Sequence, residues 1–267
     1  MSIHSTASVD SKATLGQDVD VGPFAVIEAG VHIGDRCVIG PHAVIRRYTT
    51  MGAGCRVHPG ACIGDDPQDL GFKGGESFVR IGANCVMREG VTIHRGSKEG
   101  TETVMGDGCF LMANSHLAHN VKMGNNVILA NGVLLAGYVE VGDRVFISGN
   151  AAVHQFARVG TLAMVGGLGA ISKDVPPYCT TRNSRQNCVA GLNVVGMRRA
   201  GFNPADRLAV RQAFKLLYRS GLNVSQAVER LRSEFPEGPV RVLWEFVEAS
   251  KRGICPYGGG DEEESGD

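Results

Sequence analysis

The chain has 267 residues, with 27 Lys and Arg against 27 Asp and Glu, and this balance argues against a generic nucleic-acid binder. Residues 255–267 hold five acids and no base, so 27 bases face 22 acids elsewhere, and a body charge of +5 suits phosphorylated or acidic partners. There is no transmembrane-length apolar run and no basic-then-apolar leader, and the eight cysteines contain no Cys-x-x-Cys. Stable membrane insertion, disulfides and a cysteine zinc site are therefore not expected, and a cytoplasmic location fits.

From Ile3 onward a large aliphatic residue recurs every sixth position. The series runs Ile3, Val9, Leu15, Val21, Ile27, Ile33 and on to Val165 and Ile171, and 26 of its 29 positions are Ile, Leu, Val or Met. Four residues after each stands a small or β-branched residue, such as Ala25, Cys37, Cys55, Cys85, Cys109 or Val121. A period of six is neither helical nor the alternation of a meander. It predicts short strands joined by sharp turns, with the aliphatic filling an interior and the small residue under the corner. The four cysteines in that slot are read as packing. Gly often follows the aliphatic, as at Ile33-Gly34 and Val141-Gly142.

Three hexads make one triangular coil, so 18 residues return the chain to the same column, and residues 3–176 make nine to ten coils. The register fails only at Asp69, Gly75 and Glu99. These mark two loops, about 64–79 and 96–104, that preserve the six-residue count. Loops on a rigid solenoid carry function. After Val175-Pro-Pro177 the repeat stops. Val210, Ala213, Phe214 and Leu217, then Val224, Ala227, Val228 and Leu231, then Val240, Leu243, Trp244 and Val247, have helical spacing. They predict three amphipathic helices, with Asn203-Pro204 as a cap and first turn. The expected organisation is a β-helix over 1–190, a helical domain over 191–254 and a disordered acidic tail over 255–267.

His4, His32, His42 and His58 read as solvated turn residues, Asn125, Asn126 and Asn131 as turn residues, and Arg46-Arg47 as a solvated or subunit-facing pair. The other four histidines are 94, 116, 119 and 154. One coil beyond His119 lies Gly137, where the missing side chain lets a ligand approach the backbone. Its N–H is placed as an oxyanion donor beside a histidine base. His154 lies two coils from a column next to that of His119. At roughly 10 Å, it is too far to pair with His119 within one subunit.

Several segments occur in a telling order. They are Asp66-Pro-Gln-Asp-Leu70, Ile93-His-Arg-Gly96, Asn114-Ser-His-Leu-Ala-His-Asn120, Leu135-Ala-Gly137, Ala152-Val-His-Gln-Phe156, Asp174-Val-Pro-Pro-Tyr178 and Asn193-Val-Val-Gly-Met-Arg-Arg-Ala-Gly-Phe202. Over residues 3–254 this set resembles the acyl-carrier-protein-dependent UDP-N-acetylglucosamine O-acyltransferases of lipid A synthesis. The resemblance implies a left-handed parallel β-helix with a C-terminal helical domain; the ordinary crossover rule alone would favour the right hand. It also implies a homotrimer with its active sites in the clefts between prisms. The expected reaction moves a 3-hydroxyacyl chain from acyl carrier protein to the sugar 3-hydroxyl, the first step of lipid A biosynthesis. No cofactor is expected, because the acyl donor rides on the carrier's phosphopantetheine.

By the same resemblance His119 is the general base, Gly137 the oxyanion residue, and Asn120 the neighbour that orients the imidazole. Gln68, Asp69, His94, His116, His154 and Gln155 match substrate-contacting positions. Asn193 and Arg199 match positions near the uridine and phosphates, and Gly167 matches the position that limits acyl length, its openness favouring a longer chain. Three residues depart from many relatives: Asn120 stands for Asp, Gly71 for Lys with Lys73 close by, and Tyr138 for His. These departures leave N-acylation of a 3-amino UDP-sugar as an alternative. From other classes come a zinc hydratase of the γ-carbonic anhydrase type, with His94, His116 and His119 as ligands, a coenzyme A-dependent acetyltransferase and a non-catalytic scaffold.

Overall fold

The computed structural model describes residues 1–182 and 188–258. Most strands of the repeat are only two residues long, such as Val26–Ile27 and His116–Leu117, and three parallel sheets form the faces of a prism. Strands 18 residues apart pair in register, as Ile27 with Ile45 and Leu117 with Leu135. The sixth-position aliphatics therefore stack in columns, and those from Val21 to Ile171 are buried. Val175 bridges Val159 and closes the ninth coil.

The small-residue slot is occupied as its chemistry requires. Cys37, Cys55, Cys85 and Cys109 are buried, and each thiol donates to a glycine carbonyl about one coil on, at 3.1–3.2 Å. The glycine after the aliphatic answers to close stacking. A Cβ on Gly52 would stand 2.7 Å from the backbone N of Ala83. At many corners one residue takes the left-handed conformation, including Asn114, Asn120, Asn126 and Tyr138, with φ between 55° and 61°.

Both loops are insertions of whole hexads. Met51 pairs with Ile81, a separation of 30 instead of 18, and Ile81 pairs with Met105, a separation of 24. The first loop therefore adds two hexads and the second adds one, and the columns resume unbroken. The loops are shorter than the sequence suggested. Cys62–Asp65 and Phe78–Ile81 are strands, so the first loop is 66–77; Glu102–Met105 is also a strand, so the second ends at 101. The extra strand residues complete pairs across the sheet, as Phe78 with Glu102 and Val79 with Thr103.

Beyond the prism, Cys179–Arg182 and Cys188–Leu192 form an antiparallel hairpin, so the boundary expected at 190/191 falls inside a strand. Four helices follow where three were expected: α1 (Val194–Arg199), α2 (Pro204–Arg219), α3 (Val224–Glu234) and α4 (Pro239–Glu248). The six residues of α1 are too few to display a helical period. Asn203 caps α2 by accepting from Asp206 N at 2.8 Å, with Pro204 at the first turn. Asn223 and Gln226 form a capping box on α3, and Val224, at that exposed start, does not join the buried stripe. Leu162 and Tyr178 of the prism end pack among the helix residues Val210, Leu217, Leu231 and Trp244.

The chain then returns to the prism. Asp174 pairs with Ile254, Val189 pairs with Tyr257, and Cys255 is buried in the prism core. The tail expected from residue 255 therefore does not begin there, because strand bridges hold 254–257; residues 259–267 lie outside the described residues. An ion pair between the half-buried Arg158 and the buried Asp174 ties the two parts together. Arg158 Nε donates to Asp174 at 2.9 Å, its Nη2 donates to the Phe246 carbonyl at 2.7 Å, and Ser250 Oγ donates to the same Asp174 carboxylate.

Leu129 is fully buried in the middle of its column. Leu129→Ala is expected to lower stability by about 2–5 kcal/mol, read as a lower denaturation midpoint. A change under about 0.5 kcal/mol would show that this column is not close-packed.

Candidate active site

The site forms where the second face turns into the third, at the ends of successive coils. His94 and His116 lie at neighbouring strand positions and their rings meet edge to face with centroids 4.8 Å apart. The ring Nδ1 of His116 is 2.7 Å from Thr92 Oγ1. Burial, reinforced by the neighbouring His94, pushes His116 down to about 4, so its imidazole is neutral near pH 7. Burial also lowers His94, whose Nδ1 has no hydrogen-bond partner among the described residues.

His119 stands at the turn after His116, partly exposed. Its Nδ1 is 3.0 Å from Asn120 Oδ1, and its Nε2 is 3.9 Å from Asp69 Oδ2. Asn120 Oδ1 also accepts from the backbone N–H of Ser97 at 3.0 Å. A backbone N–H can only donate, so this atom is the amide oxygen, and His119 donates to it from Nδ1. The Nε2 lone pair is left free, facing Asp69.

Gly137 lies against this ring. A Cβ there would stand 2.5 Å from His119 Cε1, so only glycine lets the imidazole take its place. Among the described residues the Gly137 N–H donates no hydrogen bond. At comparable places on another corner, the N–H groups of Asp107, Asn125 and Asp143 each take a side-chain oxygen from the next coil, at 2.7–3.0 Å. The column of Gly137 supplies none.

The first loop brings Asp69 to His119, and a buried arginine holds that loop. Arg95 is 2% exposed. It donates to Asp66 at 2.7 and 3.1 Å, to the Gly75 carbonyl at 2.6 Å and to Ser77 Oγ at 3.1 Å. Its guanidinium also lies over the rings of Tyr48 and Phe72. Asp69 in turn accepts from Gly71 N at 2.8 Å.

The structure thus gathers His94, His116, His119, Asn120, Gly137 and Asp69, with Gln68 exposed beside Asp69 on the loop. It does not bring every expected residue to this cluster. His154 is exposed and its Nδ1 turns to the Gln155 carbonyl at 3.1 Å. Asn193 is occupied as the cap of α1, accepting from Gly196 N and donating to the Leu162 carbonyl, and Arg199 is exposed at the last turn of that helix. Gly167 is exposed on the prism surface, where a Cβ would meet nothing closer than 3.4 Å. Arg46 is engaged by Glu28 and Asp65. Sequence reasoning missed Arg95, Ser97, Thr92 and Thr103; the first two lie one and three residues after His94, but only proximity across coils reveals their partners.

A prism of stacked hexads with a histidine cluster at one corner has the architecture of the hexapeptide-repeat class. The family description "Bacterial transferase hexapeptide (six repeats)" matches residues 12–47 and 102–137, and "Udp N-acetylglucosamine O-acyltransferase; Domain 2" matches residues 174–255. A curated relative from Trichlorobacter lovleyi is 50% identical over 96% of this chain and 99% of its own, and one from Sulfurihydrogenibium is 52% identical over 95% and 94%. Both are named acyl-[acyl-carrier-protein]–UDP-N-acetylglucosamine O-acyltransferase. The solved UDP-N-acetylglucosamine acyltransferase of Francisella novicida superposes with a TM-score of 0.93 at 35% identity, covering 96% of this chain and 95% of that one. That of Bacteroides fragilis gives 0.91 at 38%, covering 95% and 99%. This chain belongs to the acyl-[acyl-carrier-protein]–UDP-N-acetylglucosamine O-acyltransferase family, and its fold is the left-handed parallel β-helix with a small C-terminal helical region. It is an acyltransferase, as the family is, so the zinc-hydratase and scaffold alternatives fall away.

His116 titrates lower folded than unfolded, so its contribution is intact above about pH 6.5 and is lost as pH falls from there towards about 4. His116→Gln removes that dependence. The melting temperature of the variant is expected to fall less steeply than that of the wild type across this interval. Equal slopes would show that His116 is not held neutral by the fold.

Proposed function

We propose that this chain transfers a 3-hydroxyacyl group from acyl carrier protein to the 3-hydroxyl of UDP-N-acetylglucosamine, with His119 as the general base. The observation that carries this reading is the free Nε2 of His119 on a ring packed against Gly137, whose N–H is unpaired among the described residues. Attack of a hydroxyl on a thioester needs a base, a donor for the developing oxyanion and fixed geometry. The sugar hydroxyl gives its proton to Nε2 as its oxygen bonds to the thioester carbon. The carbonyl oxygen becomes an oxyanion that accepts from Gly137 N–H. Collapse breaks the carbon–sulfur bond, and the proton on Nε2 passes to the departing thiolate of the phosphopantetheine. The Asp69 carboxylate near Nε2 stabilises the imidazolium between the two transfers. Asn120, being neutral, orients the ring without sharing that charge.

The neutral His94 and His116 bind the sugar through hydrogen bonds. Gln68, His154 and Gln155 complete the contacts, and Asn193 and Arg199 serve the nucleotide, Arg199 as a phosphate donor. The active unit is a homotrimer, which brings these surface residues of neighbouring prisms to one cleft. The exposed Leu134, Phe156 and Leu168 support a buried interface in that assembly. The reaction uses no metal or redox cofactor and takes place in the cytoplasm, where its carrier-borne donor is made. No helix among the described residues is long and apolar enough to cross a membrane.

The test is acyl transfer by the purified protein from a panel of 3-hydroxyacyl carrier proteins to UDP-N-acetylglucosamine. His119→Ala is expected to lower kcat by about 10²–10⁴-fold, the range for losing a general base. Gly137→Ala is expected to abolish transfer while the trimer stays folded, because its methyl displaces the imidazole. Absence of transfer by folded wild type would overturn the reading and turn attention to the 3-amino sugar.

Gly167 is not demanded by internal crowding, so the space it leaves matters to what lies on the outer surface. We expect a preference for longer chains in the wild type and a shift to shorter ones in Gly167→Met, read from the same panel. An unchanged preference would remove Gly167 from the acyl path.

A further inference from the structure

We propose that Ser97 and Tyr138 are positioning residues that lock the Asn120 amide with its oxygen towards His119 and thereby select one tautomer of the imidazole. The inference rests on the reading of His119 as base. A carboxylate at position 120 would present oxygen to the ring whichever way it turned. An amide has two different ends. With Oδ1 towards His119, Nδ1 carries the proton and Nε2 is a base. With Nδ2 towards it, Nδ1 must accept, the proton moves to Nε2, and the base is lost. An asparagine here therefore needs something that decides its orientation.

The second loop supplies it. Ser97 presents two donors to Asn120 Oδ1, its backbone N–H at 3.0 Å and its hydroxyl at 2.9 Å. With the Ser97 hydroxyl donating there, its oxygen is left to accept from the Tyr138 hydroxyl at 3.1 Å. The chain of donation runs from Tyr138 through Ser97 to Asn120, where it meets the proton of His119 Nδ1. Ser97 and Asn120 are both buried, and the Asn120 backbone is fixed by its N–H bond to Thr103 Oγ1 at 2.8 Å. Tyr138 is placed for this role from outside. Its ring lies edge to face on His119 at 5.4 Å and stacks on Phe156 at 5.0 Å. The relay contains no charged group, so it can set the tautomer without trapping the imidazolium.

The experiment uses the full chain labelled with ¹⁵N-histidine, with His119 signals assigned by their loss in His119→Gln. Two-bond proton–nitrogen correlations at a pH where the ring is neutral show which nitrogen holds the proton. Wild type is expected to show it on Nδ1, and Ser97→Ala and Tyr138→Phe, which weaken the lock but keep the Ser97 backbone N–H, are expected to show Nδ1 still dominant with a minor Nε2-protonated population, larger in Ser97→Ala. Their kcat is expected to fall by about three- to tenfold, the scale of one lost hydrogen bond, with little change in KM, and Ser97→Thr is expected to restore both readouts. Introducing Asn120→Asp should make Ser97→Ala nearly silent, because either carboxylate oxygen can accept. A proton on Nε2 in wild type, an unchanged tautomer in both variants, or an equal loss from Ser97→Ala in the two backgrounds overturns the proposal. If folded wild type transfers no acyl chain, the proposed reaction fails, and the tautomer spectra still decide this inference.

Discussion

An aliphatic side chain at every sixth residue, stacked on its counterpart one coil away, is the constraint on which the rest of the molecule depends. A prism of two-residue strands has little interior, so each column must be filled by one side chain per coil. Backbone hydrogen bonds between coils, as Ala118 N to the Leu135 carbonyl and Ala136 N to the Val153 carbonyl, then hold neighbouring turns in register. The two insertions here are twelve and six residues long, so the aliphatic period is kept across them. The stack accommodates both loops without a break.

The rigidity of that stack is what makes a corner usable for chemistry. Residues 18 positions apart lie side by side, so His119 meets Gly137 and Asn120 meets Tyr138 without any long side chain having to reach. The two inserted loops then add what a bare prism lacks. The first, pinned by Arg95, places a carboxylate before the imidazole; the second places Ser97 against Asn120. The environment is deliberately uneven in polarity. Burial keeps His94 and His116 uncharged, while His119, at the rim, stands near the Asp69 carboxylate, which is placed to stabilise its cation.

The helical end answers a different need. An open prism end would expose the last column, and Phe214 of α2 joins the prism core there, while Leu162 and Tyr178 pack with the helices. Asp174 can be buried as a carboxylate because Arg158 and Ser250 both donate to it, while Arg158 is satisfied further by the Phe246 carbonyl. The returning residues 254–257, held by isolated bridges at Ile254 and Tyr257, were invisible in the sequence. Their pairing is with Asp174 and Val189, far away along the chain, and no local period marks it.

The sequence alone determined the coil, the columns, the interruptions and the three longer helices, because each is a periodic pattern in which near neighbours repeat the same physical demand. It also placed Gly137 beside His119, since stacking turns a spacing of 18 into contact. The ordered segments that carry the family resemblance supplied the hand of the coil, which spacing cannot encode. Only the tertiary structure decided which nitrogen of His119 is free, that Arg95 holds the first loop, that Asn193 is spent on a helix cap, and that Ser97 faces Asn120. These are side-chain pairings across an insertion or between separate elements. Their distances depend on where the loop folds back, and a repeat carries no information about a segment that leaves it.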